Sequence, residues 1–110
     1  MATISNLYID AGTTFSAIIT VNDSHNNPLN LDGYTVAAQL RKSYGSTTAY
    51  DFASSVYDET SGKIQIALTA TQTSSIKPGR YLYDIEITTG TTKSRVAEGL
   101  VIISPEITKI

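Results

Sequence analysis

Apolar and polar residues alternate along this chain in short runs, each bounded by Gly, Pro, Asn or Asp. A period of two places successive side chains on opposite faces of an extended backbone, so the pattern predicts many short strands rather than helices. The first candidate strand runs from Thr3 to Ile9 and ends at Asp10-Ala11-Gly12. The second, Thr13 to Val21, puts Phe15, Ala17, Ile19 and Val21 on one face. A polar connection from Asn22 to Pro28 follows, rich in residues that bond their own backbone in turns. The third strand, Tyr34 to Arg41, turns Val36, Ala38 and Leu40 inward.

The fourth candidate covers Ala49 to Tyr57, and Asp58 to Gly62 reads as a hairpin loop with Gly supplying positive φ. The fifth, Lys63 to Thr69, alternates most cleanly, with Ile64, Ile66 and Leu68 on one side. Ala70 to Ile76 predicts a single helical turn, stopped by Pro78-Gly79. The sixth strand, Arg80 to Thr88, carries Tyr81, Tyr83, Ile85 and Ile87 on one face and Leu82, Asp84 and Glu86 on the other. The seventh is Lys93 to Ser104, and Pro105 opens a short tail. This spacing predicts an all-β, seven-stranded antiparallel immunoglobulin-like sandwich, with a small barrel as the competing architecture.

Composition narrows the reading. With 110 residues the chain has the length of one domain, 1–110, and 41% apolar residues can fill its core. Eight basic against ten acidic residues give a net charge of −2, and the basic ones are scattered, so no nucleic-acid partner is expected. There is no cysteine, which fits folding in a reducing cytoplasm. The amino terminus lacks the basic start and apolar run of a signal peptide. The longest apolar stretch, Leu100 to Ile103, is far short of the roughly 20 residues that span a bilayer. A soluble chain without a membrane partner is expected.

Candidate chemistry is sparse. His25 is the single histidine and stands between Ser24 and Asn26, next to Asp23, on a turn where neighbours rarely converge on one reaction centre. Asp84 and Glu86 share a strand face at i and i+2, a spacing of roughly 7 Å that superficially suits acid–base work. On an outward face they read as solvated charge. Asp10, Asp23, Asp32 and Asp58 offer oxygen ligands, but nothing has the spacing of a calcium loop. Neither an enzyme nor a cofactor nor a metal is expected. Seven tyrosines raise a carbohydrate-binding adhesion module as an alternative, with Tyr34, Tyr44, Tyr50 and Tyr57 flanking a shallow surface.

The most specific local motif is Pro78-Gly79-Arg80-Tyr81-Leu82-Tyr83. In immunoglobulin-like sandwiches a Tyr near the start of the sixth strand folds its hydroxyl back to the preceding corner, and Pro78, Gly79 and Tyr81 are the candidates for that structural corner.

The order of features carries a resemblance. Pro28-Leu29-Asn30-Leu31-Asp32-Gly33-Tyr34 precedes a strand ending Gln39-Leu40-Arg41-Lys42. Thr60-Ser61-Gly62-Lys63-Ile64, Leu68-Thr69-Ala70-Thr71-Gln72-Thr73 and the corner motif follow, then Arg95-Val96-Ala97-Glu98-Gly99. From Phe15 to Ile107 this resembles the small immunoglobulin-like structural proteins of tailed bacteriophages. The cyanophage versions and the amino-terminal domain of baseplate upper proteins are particularly similar. The resemblance implies a virion component, made in the host cytoplasm, present in many copies and docked to other virion structural proteins of the tail or baseplate. Baseplate upper proteins carry further regions, so capsid decoration or a neck position is the alternative. Leu100 and Ile102 on the closing strand, with Pro105, Ile107 and Ile110 in the tail, are the candidate interface residues.

Overall fold

A computed structural model describes residues 3–107. Among them are nine strands and one helix: β1 (Thr3–Ile4), β2 (Leu7–Asp10), β3 (Phe15–Thr20), β4 (Thr35–Arg41), β5 (Ala49–Asp51), β6 (Ala53–Asp58), β7 (Lys63–Leu68), α1 (Ala70–Ser75), β8 (Gly79–Thr89) and β9 (Thr92–Ser104). A six-stranded sheet, in which β1 and β2 both flank β9 and the order continues β8-β4-β5, faces a three-stranded sheet ordered β3-β7-β6. The order β9-β8-β4 against β3-β7-β6 is that of strands G, F and C against B, E and D in the immunoglobulin sandwich. The two separate sheets exclude the barrel.

Nine strands replace the expected seven because two candidates are interrupted. The Thr3–Ile9 candidate breaks at Ser5-Asn6, yet keeps one register, with Thr3 opposite Ala97 and Leu7 opposite Val101. At the break the Asn6 side-chain oxygen accepts the Leu100 amide at 3.1 Å, standing in for a backbone carbonyl. The Ala49–Tyr57 candidate crosses between sheets at Phe52. Phe52 donates its amide to the Ala38 carbonyl at 3.0 Å, and its ring lies 6.2 Å from those of both Phe15 and Tyr83. Tyr50, Phe52 and Val56 all point into the one interior, so the alternation passes through the crossing without a mark.

The all-antiparallel expectation also needs correcting. β1 and β2 run parallel to β9, while every other pairing is antiparallel. No hairpin joins β2 to β9; the chain leaves β2 directly for the opposite sheet, so nothing local imposes an antiparallel partner.

The inner faces hold the core. Ile9, Leu40, Ile85, Ile87, Val101 and Ile103 from the larger sheet meet Ile64, Ile66 and Leu68 from the smaller one. The hairpin loop before β7 closes on Gly62 at φ +67°, and a β-carbon there would strike the Val21 carbonyl, so only glycine fits. The single turn α1 starts on a capping box, in which the Thr69 hydroxyl accepts the Gln72 amide and the Gln72 side chain accepts the Thr69 amide. It carries the buried Thr73, whose hydroxyl accepts the Gly12 amide at 3.0 Å and donates to the Thr13 carbonyl at 2.8 Å. The turn that takes the chain from β2 to β3 is thereby pinned to the sandwich end.

Candidate docking surface

Residues that alternate away from the core on β4, β8 and β9 form rows across the outer face of the six-stranded sheet. Pairing registers place Arg41, Leu82 and Leu100 in one row and Asp51, Gln39, Asp84, Glu98 and Ile4 in the next. A bulge at Ile85/Glu86 then sets Glu86 opposite Arg95. The bulge turns Arg95 onto the outer face, where its Nε lies 3.2 Å from Asp84 and its guanidinium 3.9 Å from Glu98. Asp84 and Glu98, like charges in register, are thus separated by a cation.

A second chain of contacts runs along the other side. Gln39 donates to the Asp51 carboxylate at 2.6 Å and accepts from Arg41 at 3.2 Å, while Arg41 also donates to the Ser46 carbonyl at 2.7 Å. Between the two networks lies an open trough of about 610 Å³ whose apolar lining is Ile4, Tyr44, Leu82 and Leu100. Tyr44 is 80% exposed at its edge. An apolar strip is thus framed by hydrogen-bonded and ion-paired side chains.

The interface candidates fall partly on this surface. Leu100 lines the trough, paired with Leu82 across the sheet. Ile102 is half-buried between Tyr8 and Arg80, on the same outer face. Pro105 is exposed, Ile107 is 95% exposed in the tail, and Ile110 lies outside the described residues.

At the corner, the Tyr81 hydroxyl donates to the Lys77 carbonyl at 2.5 Å, four residues upstream. Its ring meets Tyr50 edge-on at 6.3 Å, and the Lys42 ammonium lies 5.0 Å from the ring centre. Pro78 is exposed, and Gly79 turns with φ +149° into β8. Sequence reasoning missed the neighbouring contact: the Tyr83 hydroxyl donates to the Ser5 carbonyl at 2.5 Å, tying the break between β1 and β2 to the middle of the sheet. Gly99 makes room there, since a β-carbon on it would collide with that same carbonyl. Burial pushes both phenols above the ordinary tyrosine value.

The other candidates stay apart. Asp23 accepts the His25 and Asn27 amides at 2.9 and 3.0 Å, so its carboxylate holds a turn rather than orienting an imidazole. Asp84 is engaged by Arg95, leaving Glu86 outside the ion pairs among the described residues. Asp58 accepts from Ser61 and Thr60, contacts that hold its carboxyl below the usual value. Among the described residues no three His, Cys, Asp or Glu side chains cluster as metal ligands. Nor is any helix among them long and apolar enough to cross a membrane. The tyrosines form no shared platform. Tyr34 and Tyr50 pack on the core, Tyr44 edges the trough, and Tyr57 is exposed on the other sheet.

No protein-family model and no curated protein matches the sequence. Solved structures do share its fold. The N-terminal domain of phage TP901-1 ORF48 superposes over 94% of this chain and 98% of that domain, at a TM-score of 0.57 and 9% identity. InlP of Listeria monocytogenes matches 94% of this chain at a TM-score of 0.51 and 13% identity. This chain spans only 28% of the InlP chain. The sandwich is therefore a fold shared with a phage domain of similar extent and with part of a Listeria protein.

Proposed function

We propose that this protein is a non-enzymatic structural subunit of a bacteriophage particle, docked to other virion proteins in the tail or baseplate. The observation that carries the reading is the near-complete overlap with a phage domain of the same extent, 94% of one chain on 98% of the other. The outer face supports it. Asp84, Arg95 and Glu98 engage one another there, Gln39 bridges Asp51 and Arg41, and the apolar residues are left open. Such a surface suits a second protein better than a small substrate.

The test is to purify particles from a lysate of the host that carries the gene, by density gradient, and to quantify the chain by mass spectrometry. It is expected at fixed stoichiometry in intact particles and in the tail fraction after head and tail are separated. Recovery with heads would move it to the capsid or neck. Presence in the lysate with none in particles would overturn the structural role.

A further inference from the structure

The sandwich has four free strand edges among the described residues, and three are blunted. β5 is three residues long and ends at Asp51. The opposite edge of that sheet is cut by the Ser5-Asn6 break and closes on Asp10. β6 carries a register shift between Val56 and Asp58 and ends on that acid. Short strands, irregularities and charges of this kind are how sheets avoid pairing with other chains.

β3 has none of them. Its six residues, Phe15 to Thr20, pair with β7 on one side in unbroken register, and among the described residues no other strand lies on its far side. From Ala11 to Asn22 the chain contains no charged residue and no proline. Ile18, in the middle, is 46% exposed on the outer face. The edge is bare because of the chain's own topology. In a four-stranded A-B-E-D sheet the first strand covers B, but here β1 and β2 are committed to β9 in the other sheet.

We infer that the β3 edge pairs antiparallel with β3 of a second copy, joining the two small sheets into one of six strands. The strand is complementary to itself. Opposite residues of an antiparallel pair point to the same face, so a two-fold axis through a residue keeps both cores on one side of the joined sheet. Centred on Ile18, it sets Ile18 against its own copy and Ser16 against Thr20 on the outer face, and Ala17 against Ile19 inside. These are β-branched and hydroxyl pairs of the kind that stabilise sheets, and no like charges meet. A foreign strand selected by charge would find none here to read. Of the flanking rows, Ser16-Ala67-Ala53 and Ile18-Gln65-Ser55 are neutral, and in the third, Thr20-Lys63-Asp58, the lysine stands opposite an acid one strand away from the edge.

Sedimentation of the purified chain over a concentration series tests this, alongside Ile18→Lys and Ile18→Cys. The wild type should pass from monomer to dimer. Ile18→Lys, which opposes two ammonium groups across the axis, should lose the dimer while keeping the monomer's melting curve. The chain has no cysteine, so Ile18→Cys introduces a lone thiol next to its copy. Mild oxidation should link it to dimer at least tenfold faster than Tyr8→Cys, at an exposed position on the other sheet. A wild type that stays monomeric throughout overturns the inference. So does a dimer untouched by Ile18→Lys, or cross-linking no faster at position 18 than at position 8. If Ile18→Lys does not fold, the two cysteine rates decide.

Discussion

The two sheets turn similar faces inward and dissimilar faces outward. Inside, both supply Ile, Leu and Val, with aromatics at the crossing, and Ile66 is as fully buried as Ile85. Outside, the larger sheet carries Arg41, Asp84, Glu86, Arg95 and Glu98, while the smaller carries Ser16, Ile18, Ala53, Ser55, Gln65 and Ala67, with Lys63 and Asp58 opposite each other at one end. The interior is set by a single requirement, removal of apolar area from water, which any β-branched or aliphatic side chain meets. The exterior is under no such constraint. Its composition therefore reflects what each face must attract or refuse. Interlocked charges on the larger sheet limit what can stack on it, whereas the strands of the smaller sheet carry Lys63 and Asp58 opposite each other at one end and no charge on the open edge β3.

The sharpest way to break this comparison is to truncate one isoleucine on each side of the same sheet. Ile66→Ala opens a cavity between the sheets and should cost about 2–5 kcal/mol. Ile18→Ala, on the neighbouring strand but outward, should cost about 0.5 kcal/mol or less in the dilute monomer. Urea denaturation reads both. Equal losses would mean that the inner and outer faces have been assigned wrongly.

The tyrosines sharpen the contrast between the inner face of the larger sheet and its rim. Tyr81→Phe and Tyr83→Phe should each retain the fold and lose a hydrogen bond worth about 0.5–1.5 kcal/mol. Coincident denaturant midpoints for Tyr81→Phe and wild type would remove its corner role. Alkaline titration separates the two contributions further. Burial raises the Tyr83 phenol, so the folded chain keeps a proton that the unfolded chain loses near the ordinary value of about 10. Stability is intact below that pH and falls as pH rises through it. Tyr83→Phe should flatten the fall, as measured by melting temperature across the alkaline range.

The smallest effect belongs to the outer network. Arg95 is half-exposed, so Arg95→Gln should cost about 0–1 kcal/mol, and added salt should shrink the difference. A larger, salt-insensitive loss would show that the trough is held by Arg95 packing rather than by charge.

Alternation in the sequence was sufficient for the class of fold, the inner faces of β4, β7 and β8, and the turn at Gly62. Each of these follows from local chemistry: a side chain's parity along a strand, or a backbone angle that glycine alone tolerates. The helical turn was legible too, and its Thr69-x-x-Gln72 spacing was an available signal for the start. The charged outer face was legible as charge but not as a network. Arg95 reaches Asp84 only because a bulge re-aims β9, and a bulge leaves no mark in apolar periodicity.

Three features had to wait for the assembled chain. Phe52 switches sheets without disturbing the alternation, because both half-strands face one interior. Tyr83 reaches the Ser5 carbonyl across most of the chain length, a contact that no local pattern encodes. The parallel placement of β1 and β2 beside β9 decides which edges are covered, and so leaves β3 bare. Periodicity records how each residue faces the core of its own strand. Which strand lies next to which is settled by competition among edges for partners, and that competition takes place only once the sheets have formed.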